Sequence, residues 1–344
     1  PMTEPLRIGV LGLSHDHVWD NLPFLAAHTD ADLIAAADPN EPLTTRAAEE
    51  YGCQTYASSA ELLENEELDA VYIFTSNAEG AELAINAMEK QLHVLIEKPM
   101  AARLEQANRM VEAAERNEVK LVINWPFAWW PQLQKALAMA QNGAIGKIWA
   151  VKYRAAHAGP AELGCSSYFC DWLFNPELNG AGALMDYCCY GSVLSASLLG
   201  LPESVTGMVG GQVKEGLTVE DNALIAMKYP FGMSSAEGSW TQIGKLTSYT
   251  TTFYGNGGTL LVEPRTGGRL FLSTDADPQG SEVPVLDSSE ALKNSANQFV
   301  HVIRNDAEPW LLCNPKHSRN AQEILEAGRM SSEQGQHVTL PLSS

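Results

Sequence analysis

Short apolar segments alternate with helical segments from residue 7 to residue 124, and this alternation constrains the fold more than any other feature. Near-continuous apolar strands linked by helices are typical of a parallel sheet covered on both faces. The sequence therefore predicts an α/β fold. The predicted strands are residues 8–12, 33–38, 70–75, 93–96 and 119–123, and two of the predicted helices are residues 80–90 and 101–117.

The pattern changes after Asn124 to long strands separated by turn sequences such as Gly255-Asn256-Gly257-Gly258. This change divides the chain into domains at residues 1–124 and 125–344, and it predicts a second, α+β domain with a large, mostly antiparallel open sheet. The content of Gly and Asp in residues 275–287 predicts a surface loop. The predicted strands are residues 147–154, 204–213, 222–229, 233–241, 248–254 and 259–262, and the predicted helices are residues 132–142, 183–199, 289–305 and 315–334.

Composition excludes several classes of partner. The 344 residues carry a formal net charge of −20, which argues against binding to nucleic acid and to anionic membranes. No apolar run approaches the ~20 residues of a membrane span. The chain does not start with a basic segment followed by an apolar one, so we expect no signal peptide. The six cysteines form no C-x-x-C pair, so we expect free thiols and a cytoplasmic location.

Residues 12–17 form a turn between the first strand and a helix, where dinucleotide-binding proteins place a glycine-rich loop. Gly12 matches the first glycine of G-x-G-x-x-G, whereas Ser14 and His17 replace the second and third. The helix start suits a pyrophosphate, and Asp38 ends the next strand, where a carboxylate can bind ribose hydroxyls and repel a 2′-phosphate. The turn thus favours NAD over NADP. The alternative for Asp38 is an ordinary strand-ending turn.

Two sets of residues could instead bind a metal ion. His15 and His17 are close in sequence, but no carboxylate or cysteine partner is obvious near them. The second set is Cys165, Cys170, Cys188 and Cys189 with His157. Free cysteine is often simply buried, and we therefore expect no metal site.

Lys98 follows the predicted strand 93–96, at the carboxyl end where open α/β sheets bind their ligands. A lysine there can contact a substrate hydroxyl. Asp186 and Tyr190 are four residues apart and would share one helical face. A tyrosine with a pKa of roughly 10 is a poor base, but a nearby ammonium such as that of Lys98 favours phenolate. The alternatives are a packed tyrosine and, for Asp186, a charge near a helix dipole.

Several segments, in their order along the chain, resemble the Gfo/Idh/MocA oxidoreductase family. They are Glu97-Lys98-Pro99 with the helix and strand before it, residues 180–186, residues 219–223, Gly238-Ser239-Trp240 and residues 327–335. The resemblance implies an amino-terminal Rossmann domain that binds NAD, and pairing of subunits through the open sheet into a homodimer or homotetramer. It also implies a sugar or polyol as substrate.

The resemblance assigns roles to individual residues. Lys98 matches the lysine that touches substrate and cofactor ribose, Asp186 matches the motif aspartate, and Tyr190 stands where most members have histidine. Gly80 and the Trp125-Pro126 pair replace a histidine and an arginine of the family pattern. The expected cofactor-binding residues are Gly12, Ser14, His15, Asp38, Thr75, Ser76, Asn77, Glu97 and Lys98.

Substrate contacts are expected from the segment 155–179 and from the residue after the last amino-terminal strand. His157, Asp171 and Trp172 lie in the first of these, and Trp125 is the second. Trp172 could stack on a sugar face; the alternative is a packed surface loop. We therefore predict an NAD-dependent oxidoreductase that interconverts a secondary alcohol and ketone of a sugar, polyol or derivative. The alternatives are an NAD-using glycosidase that oxidises its sugar transiently and a non-catalytic NAD-binding regulator.

Overall fold

The amino-terminal half forms a six-stranded parallel sheet in the computed structural model, which describes residues 4–210 and 213–342. Its strands are β1 (Leu6–Leu11), β2 (Ala31–Ala37), β3 (Gln54–Tyr56), β4 (Ala70–Ile73), β5 (His93–Glu97) and β6 (Leu121–Asn124). The helices are α1 (Val18–Ala26), α2 (Glu41–Tyr51), α3 (Ser59–Asn65), α4 (Asn77–Glu89) and α5 (Leu104–Arg116). Every residue of β4 and β6 is buried, as expected of a sheet covered on both faces. The predicted α/β fold is confirmed.

The strand order β3-β2-β1-β4-β5-β6 reverses between β1 and β4. All neighbouring pairs are parallel. Ligands of open α/β sheets bind in the crevice at such a reversal, beyond the carboxyl ends of the strands. The segments that follow β1, β4 and β5 all lie at this edge, so the fold brings the turn 12–17 and Lys98 to one side of the sheet.

The carboxy-terminal half forms a nine-stranded sheet. Its strands are β7 (Ile148–Ala156), β8 (Ser204–Val209), β9 (Asn222–Tyr229), β10 (Gly232–Ser239), β11 (Tyr249–Gly255), β12 (Thr259–Val262), β13 (Leu270–Thr274), β14 (Asp277–Val283) and β15 (Val338–Thr339). The order is β14-β13-β12-β11-β7-β10-β9-β8-β15. The pair β7 and β10 is parallel and the other pairs are antiparallel. This architecture confirms the predicted mostly antiparallel sheet.

Helices cover one face of the second sheet. They include α9 (Cys189–Leu199) and α11 (Pro315–Gln334), and the others in this half are α6 (Pro131–Gln141), α7 (Ser167–Leu173), α8 (Pro176–Asn179) and α10 (Ser295–Arg304). A Cβ built on Gly207 of β8 would lie 2.0 Å from the carbonyl oxygen of Gly328 in α11, so strand and helix meet backbone to backbone. No helix among the described residues is long and apolar enough to cross a bilayer.

Three sequence predictions for this half need correction. Residues 275–287 are not a loop throughout, because β14 pairs with β13 at the sheet edge, where backbone pairing needs no apolar side chains. The segment 183–199 begins with one turn of π-helix, Leu184–Cys188, before α9. The strand predicted at 204–213 ends at Val209, and residues 211 and 212 lie outside the described residues.

Candidate active site

The Lys98 ammonium is buried where the two sheets meet. Its Nζ donates to the backbone oxygen of Asp186 at 2.9 Å and to Asp186 Oδ1 at 3.1 Å. Trp240 Nε1 donates to the other carboxylate oxygen at 2.9 Å. Burial opposes the charge on Lys98, but Cys189 and the carboxylates of Asp186 and Glu97 outweigh it and raise the lysine pKa. Lys98 therefore stays protonated and presents a fixed positive charge.

A small cavity, which we call the inner cavity, opens beside this ion pair. Its volume is about 250 Å³, and its walls include His17, Lys98, His157, Asp186, Tyr190 and Arg265. The structure thus brings the three predicted catalytic residues together in one cavity, although Asp186 belongs to the π-helical turn and Tyr190 to α9. π-turns inside helices are frequent at functional sites.

Tyr190 faces Lys98 with its ring. The Lys98 Nζ lies 4.7 Å from the ring centroid, in cation–π contact. The ring of Tyr153 stacks on that of Tyr190, with 5.6 Å between the two ring centroids. Burial is the main cause that raises the pKa of Tyr190 well above its usual value, and Cys189, Glu97 and Asp186 add to it. This direction is the opposite of the one expected from sequence, so the phenol stays neutral and a phenolate base is not supported.

His157 lines the inner cavity as expected, but its hydrogen bonding restricts its chemistry. Its Nδ1 accepts a hydrogen bond from the backbone N–H of Gly159 at 2.9 Å. Burial is the main cause that lowers the pKa of His157, so the ring is neutral. A neutral imidazole with an acceptor at Nδ1 carries its proton at Nε2. His157 can therefore donate a hydrogen bond to a substrate oxygen.

Trp125 does not reach a cavity wall. It is 1% exposed, and its Nε1 donates to Ser318 Oγ of α11 at 3.1 Å. Its ring packs against Phe127 and Tyr190. The prediction that Trp125 contacts substrate is therefore corrected. Trp125 is a core residue, because its indole N–H already donates to a residue of α11.

A larger groove of about 930 Å³ follows the carboxyl ends of β1, β2 and β4. Among the predicted cofactor residues, Gly12, Ser14, Asp38 and Thr75 line it. Gly12 has a φ of 90°, and a Cβ there would lie 2.7 Å from Thr75 Cβ, so glycine alone allows this close turn. The Asp38 carboxylate accepts from the backbone N–H groups of Leu13 and Asn40 at 2.7 and 2.8 Å. These features fit the adenosine half of a dinucleotide.

Asp171 and Trp172 line the groove and not the inner cavity. Trp172 Nε1 donates to the Ser14 backbone oxygen at 3.3 Å. The two residues lie beside the turn 12–17, and their expected substrate contacts remain predictions. Both residues belong to α7, a helix of the carboxy-terminal half that packs on the turn 12–17.

Three of the predicted cofactor residues have structural partners. His15 is 2% exposed and packs on the rings of Phe169 and Trp172 at 4.8 and 5.4 Å. Ser76 caps α4 by accepting from the Glu79 N–H. Asn77 is buried and donates to Asn179 Oδ1 at 2.8 Å. Their predicted cofactor contacts remain predictions, with His15 covered by α7.

Sequence reasoning missed how Glu97 is paired. Its Oε1 lies 2.9 Å from His17 Nδ1, and its Oε2 accepts from Asn124 Nδ2 at 2.6 Å. The signal was present, since Glu97 adjoins Lys98 and His17 occupies a glycine position of the fingerprint. A second missed contact joins the domains: Asp16 accepts from the Ser166 N–H at 2.7 Å and from its hydroxyl at 2.5 Å.

The His17–Glu97 contact bears on the metal hypotheses. Ligand atoms of His15, His17 and Glu97 lie within 4.8 Å of one another, and this is the only such group that we find among the described residues. Among the described residues, the cysteine set with His157 does not form such a group, and the six cysteines are free thiols. A cation at His17 would meet the Lys98 ammonium, whose positive charge would repel it. The absence of a metal stays a prediction.

Comparison with known proteins places these features in context. A family model described as an oxidoreductase family with an NAD-binding Rossmann fold matches residues 6–125, and a GFO/IDH/MocA carboxy-terminal domain model matches residues 133–261. The chain is 27% identical over 308 residues to a dTDP-3,4-didehydro-2,6-dideoxy-alpha-D-glucose 3-reductase of Streptomyces violaceoruber, covering 87% of this chain and 85% of that protein. It is also 27% identical to an NADP(+) D-xylose 1-dehydrogenase of Haloarcula marismortui, covering 89% of this chain and 86% of that protein.

A solved structure shows the same fold. The WlbA dehydrogenase from Bordetella pertussis, in complex with NADH and UDP-GlcNAcA, superposes with a TM-score of 0.82 at 22% identity. The superposition covers 99% of this chain and 100% of that chain. The likeness therefore extends over both sheets.

The buried ion pair leads to a stability prediction. We expect Asp186→Ala to lower the free energy of unfolding by about 3–5 kcal/mol, the usual cost of leaving one partner of a buried pair alone. Asp186→Asn should cost less, because its amide oxygen still accepts one hydrogen bond. The exposed pair of Glu203 and Lys228, 3.9 Å apart, is the control, and Glu203→Ala should cost less than about 1 kcal/mol. Urea unfolding measures all three, and equal losses for the two alanine variants would contradict the prediction.

Proposed function

The chain belongs to the Gfo/Idh/MocA oxidoreductase family, and we propose that it is an NAD-dependent dehydrogenase that interconverts a secondary alcohol and a ketone of a sugar, polyol or sugar derivative. The observation that carries the proposal is the Lys98–Asp186 ion pair in the wall of the inner cavity, at the carboxyl end of β5. An intact ion pair beside a cavity favours an enzyme over a non-catalytic regulator. No observation favours a glycosidase.

The cofactor assignment is supported by the charges along the groove. Its walls carry Asp38, Glu79 and Glu82, and no lysine or arginine stands among the described residues that line it. An added 2′-phosphate would find no cationic partner there. NAD is therefore the proposed cofactor, although the D-xylose relative is named for NADP(+). When bound, the nicotinamide would accept or supply a hydride.

Lys98 is the proposed contact to the reacting oxygen. A fixed ammonium stabilises negative charge that develops on an alcohol oxygen as its proton leaves. Asp186 positions that ammonium through Oδ1, and Trp240 in turn positions Asp186. Tyr190 contributes a neutral phenol and a ring face rather than a base.

The inner cavity suits a polyhydroxylated ring. Aromatic side chains such as Phe127 and Tyr187 provide apolar faces, while Arg265 and the His157 Nε2–H can donate to hydroxyl oxygens. Convergent polar groups in a mostly apolar pocket are typical of small-molecule sites. The proposed substrate class is accordingly a sugar or polyol, and a cytoplasmic location remains a prediction from composition.

The open face of the second sheet supports a proposed homodimer or homotetramer. Strand register places Met208 beside Leu224, and both are exposed, at 66% and 40%. Met233 lies on the same face, because it pairs with Lys228, which is four residues from Leu224 on β9. Exposed apolar patches of this kind mark interaction surfaces. A second copy of the chain, packed face to face, would cover this patch.

The cofactor proposal makes a direct prediction. Wild-type protein should reduce NAD, in preference to NADP, with at least one member of a sugar and polyol panel followed at the NADH absorbance. Asp38→Ser should relax the preference, because the carboxylate that repels a 2′-phosphate is gone. Glu41→Ser is the control, since Glu41 is exposed at the start of α2 and does not line the groove. Equal or tighter binding of NADP by wild type, measured by calorimetry, would contradict the assignment.

A second prediction concerns Lys98. Lys98→Ala should lower kcat and raise KM for the alcohol, because the same charge serves binding and the chemical step. Lys98→Arg should rescue little, since a planar guanidinium does not replace a compact ammonium in a tight site. If Lys98→Ala kept wild-type kcat, the ion pair would be structural only.

A third prediction concerns assembly. Light scattering at micromolar concentration should give a dimer or tetramer, and Met208→Asp with Leu224→Lys should shift the mass toward the monomer by placing charges in the apolar interface. Exposed Phe24, on α1, serves as the control site, and Phe24→Asp should leave the mass unchanged. A monomeric wild type would refute the assembly.

A further inference from the structure

The proposed reaction needs a group that accepts the hydroxyl proton, and this inference rests on that proposed function. Three side chains of the inner cavity are unsuited to the task. The Lys98 ammonium stays protonated, the pKa of the Tyr190 phenol is raised, mainly by burial, and His157 carries its proton at Nε2 because Nδ1 accepts from Gly159. The base has to be sought elsewhere in the cavity wall.

His17 has the opposite hydrogen-bonding arrangement. Its Nδ1 lies 2.9 Å from Glu97 Oε1. Glu97 is buried, and its other carboxylate oxygen, Oε2, accepts from Asn124 Nδ2 at 2.6 Å. A carboxylate only accepts, so the neutral imidazole donates its Nδ1 proton and keeps a lone pair at Nε2. We find no hydrogen bond to Nε2 within the described part of the chain. A base oriented through its other nitrogen is the arrangement of catalytic histidines.

His17 also has the access that a base needs. Its side chain is 32% exposed, and it lines both the inner cavity with Lys98 and a neighbouring cavity of about 480 Å³. It is the last residue of the turn 12–17 and directly precedes α1. The imidazole and the ammonium thus face the same space from two different segments.

The charges around His17 tune its basicity in opposite directions. Burial, the largest cause, and the Lys98 ammonium lower its pKa. The neighbouring His15 ring is neutral, because burial lowers its pKa well below the usual value. Glu97, through both charge and hydrogen bond, and Asp20 raise it. The net result is a pKa above the usual value of 6.5. A base is most effective when its pKa lies near the working pH.

We propose that His17 is the general base of alcohol oxidation and that Glu97 is its positioning residue. The O–H proton passes to His17 Nε2, the C–H bond breaks with its electron pair leaving as hydride to oxidised NAD, and the C=O bond forms. Lys98 stabilises the negative charge that develops on the substrate oxygen as the hydroxyl proton leaves. In ketone reduction the imidazolium returns the proton.

His17→Asn is the central test. Asparagine can donate an amide N–H to Glu97 and so keep that hydrogen bond, but it has no basic lone pair. We expect kcat for oxidation to fall by ~10²–10⁴-fold, with the rise of activity with pH lost. His301→Asn, at an exposed position of α10, is the matched control and should behave as wild type. His17→Ala should regain turnover with added imidazole, which a purely structural role would not produce.

Glu97→Gln tests the positioning role. Removing the carboxylate removes the main cause that raises the His17 pKa, so the histidine loses its proton at a lower pH. The rise in kcat/KM should move to lower pH, and NMR titration of the His17 ring should show the same shift. Unchanged titration in Glu97→Gln would refute the pairing whether or not a substrate is known.

The outcomes separate this inference from the proposed function. If wild type turns over no alcohol with NAD, the dehydrogenase proposal fails, and the His17 assignment with it. If wild type turns over a substrate and His17→Asn equals it in kcat and pH profile, the dehydrogenase stands and His17 is not the base. Loss of activity without imidazole rescue and without an altered pH profile would also count against His17.

Discussion

The buried ammonium of Lys98 is the charge around which the two halves of the chain are arranged. It comes from the end of a parallel strand in the first sheet, and its partner Asp186 is held by Trp240 at the end of β10 in the second. A cation in the interior is tolerated only when it is paired and hydrogen-bonded. The site is thus incomplete unless both domains are folded and correctly placed.

Other polar contacts fix the same placement. Asn77 reaches Asn179 across 102 residues of sequence, and Asp16 binds Ser166 at the amino end of α7. These contacts surround the crevice where the strand order reverses. The geometry of the cavity therefore depends on side chains that would never touch a substrate, and this is how a rigid scaffold positions loop residues for chemistry.

Most of the fold could be predicted from the sequence, because the pattern of apolar residues along a strand or helix shows which of its faces are buried. The all-buried strands β4 and β6 and the long helix α11 were predicted for that reason, whereas the polar edge strand β14 was not, since pairing at a sheet edge leaves little pattern in the side chains. The site was accessible in part. Lys98 and Asp186 were placed by motif and position, but the protonation of Tyr190 depends on surrounding burial, and the partner of His17 lies 80 residues away. The protonation of Tyr190 has no local sequence signal, and the His17–Glu97 pair is indicated only by the motif positions of its two residues.

The irregular turn Leu184–Cys188 has a further consequence. One of the two acceptors for Lys98 is the main-chain carbonyl of residue 186, an atom that every amino acid carries. One of the two hydrogen bonds that Lys98 donates to Asp186 thus depends on the path of the backbone and not on a side chain. That path requires a small residue at Gly238, where a Cβ would lie 2.8 Å from the Ala183 carbonyl oxygen and 2.9 Å from Tyr187 Cβ. Substitution of Gly238, a residue without charge or polar side chain, can thus displace the ammonium although every one of its polar partners is kept.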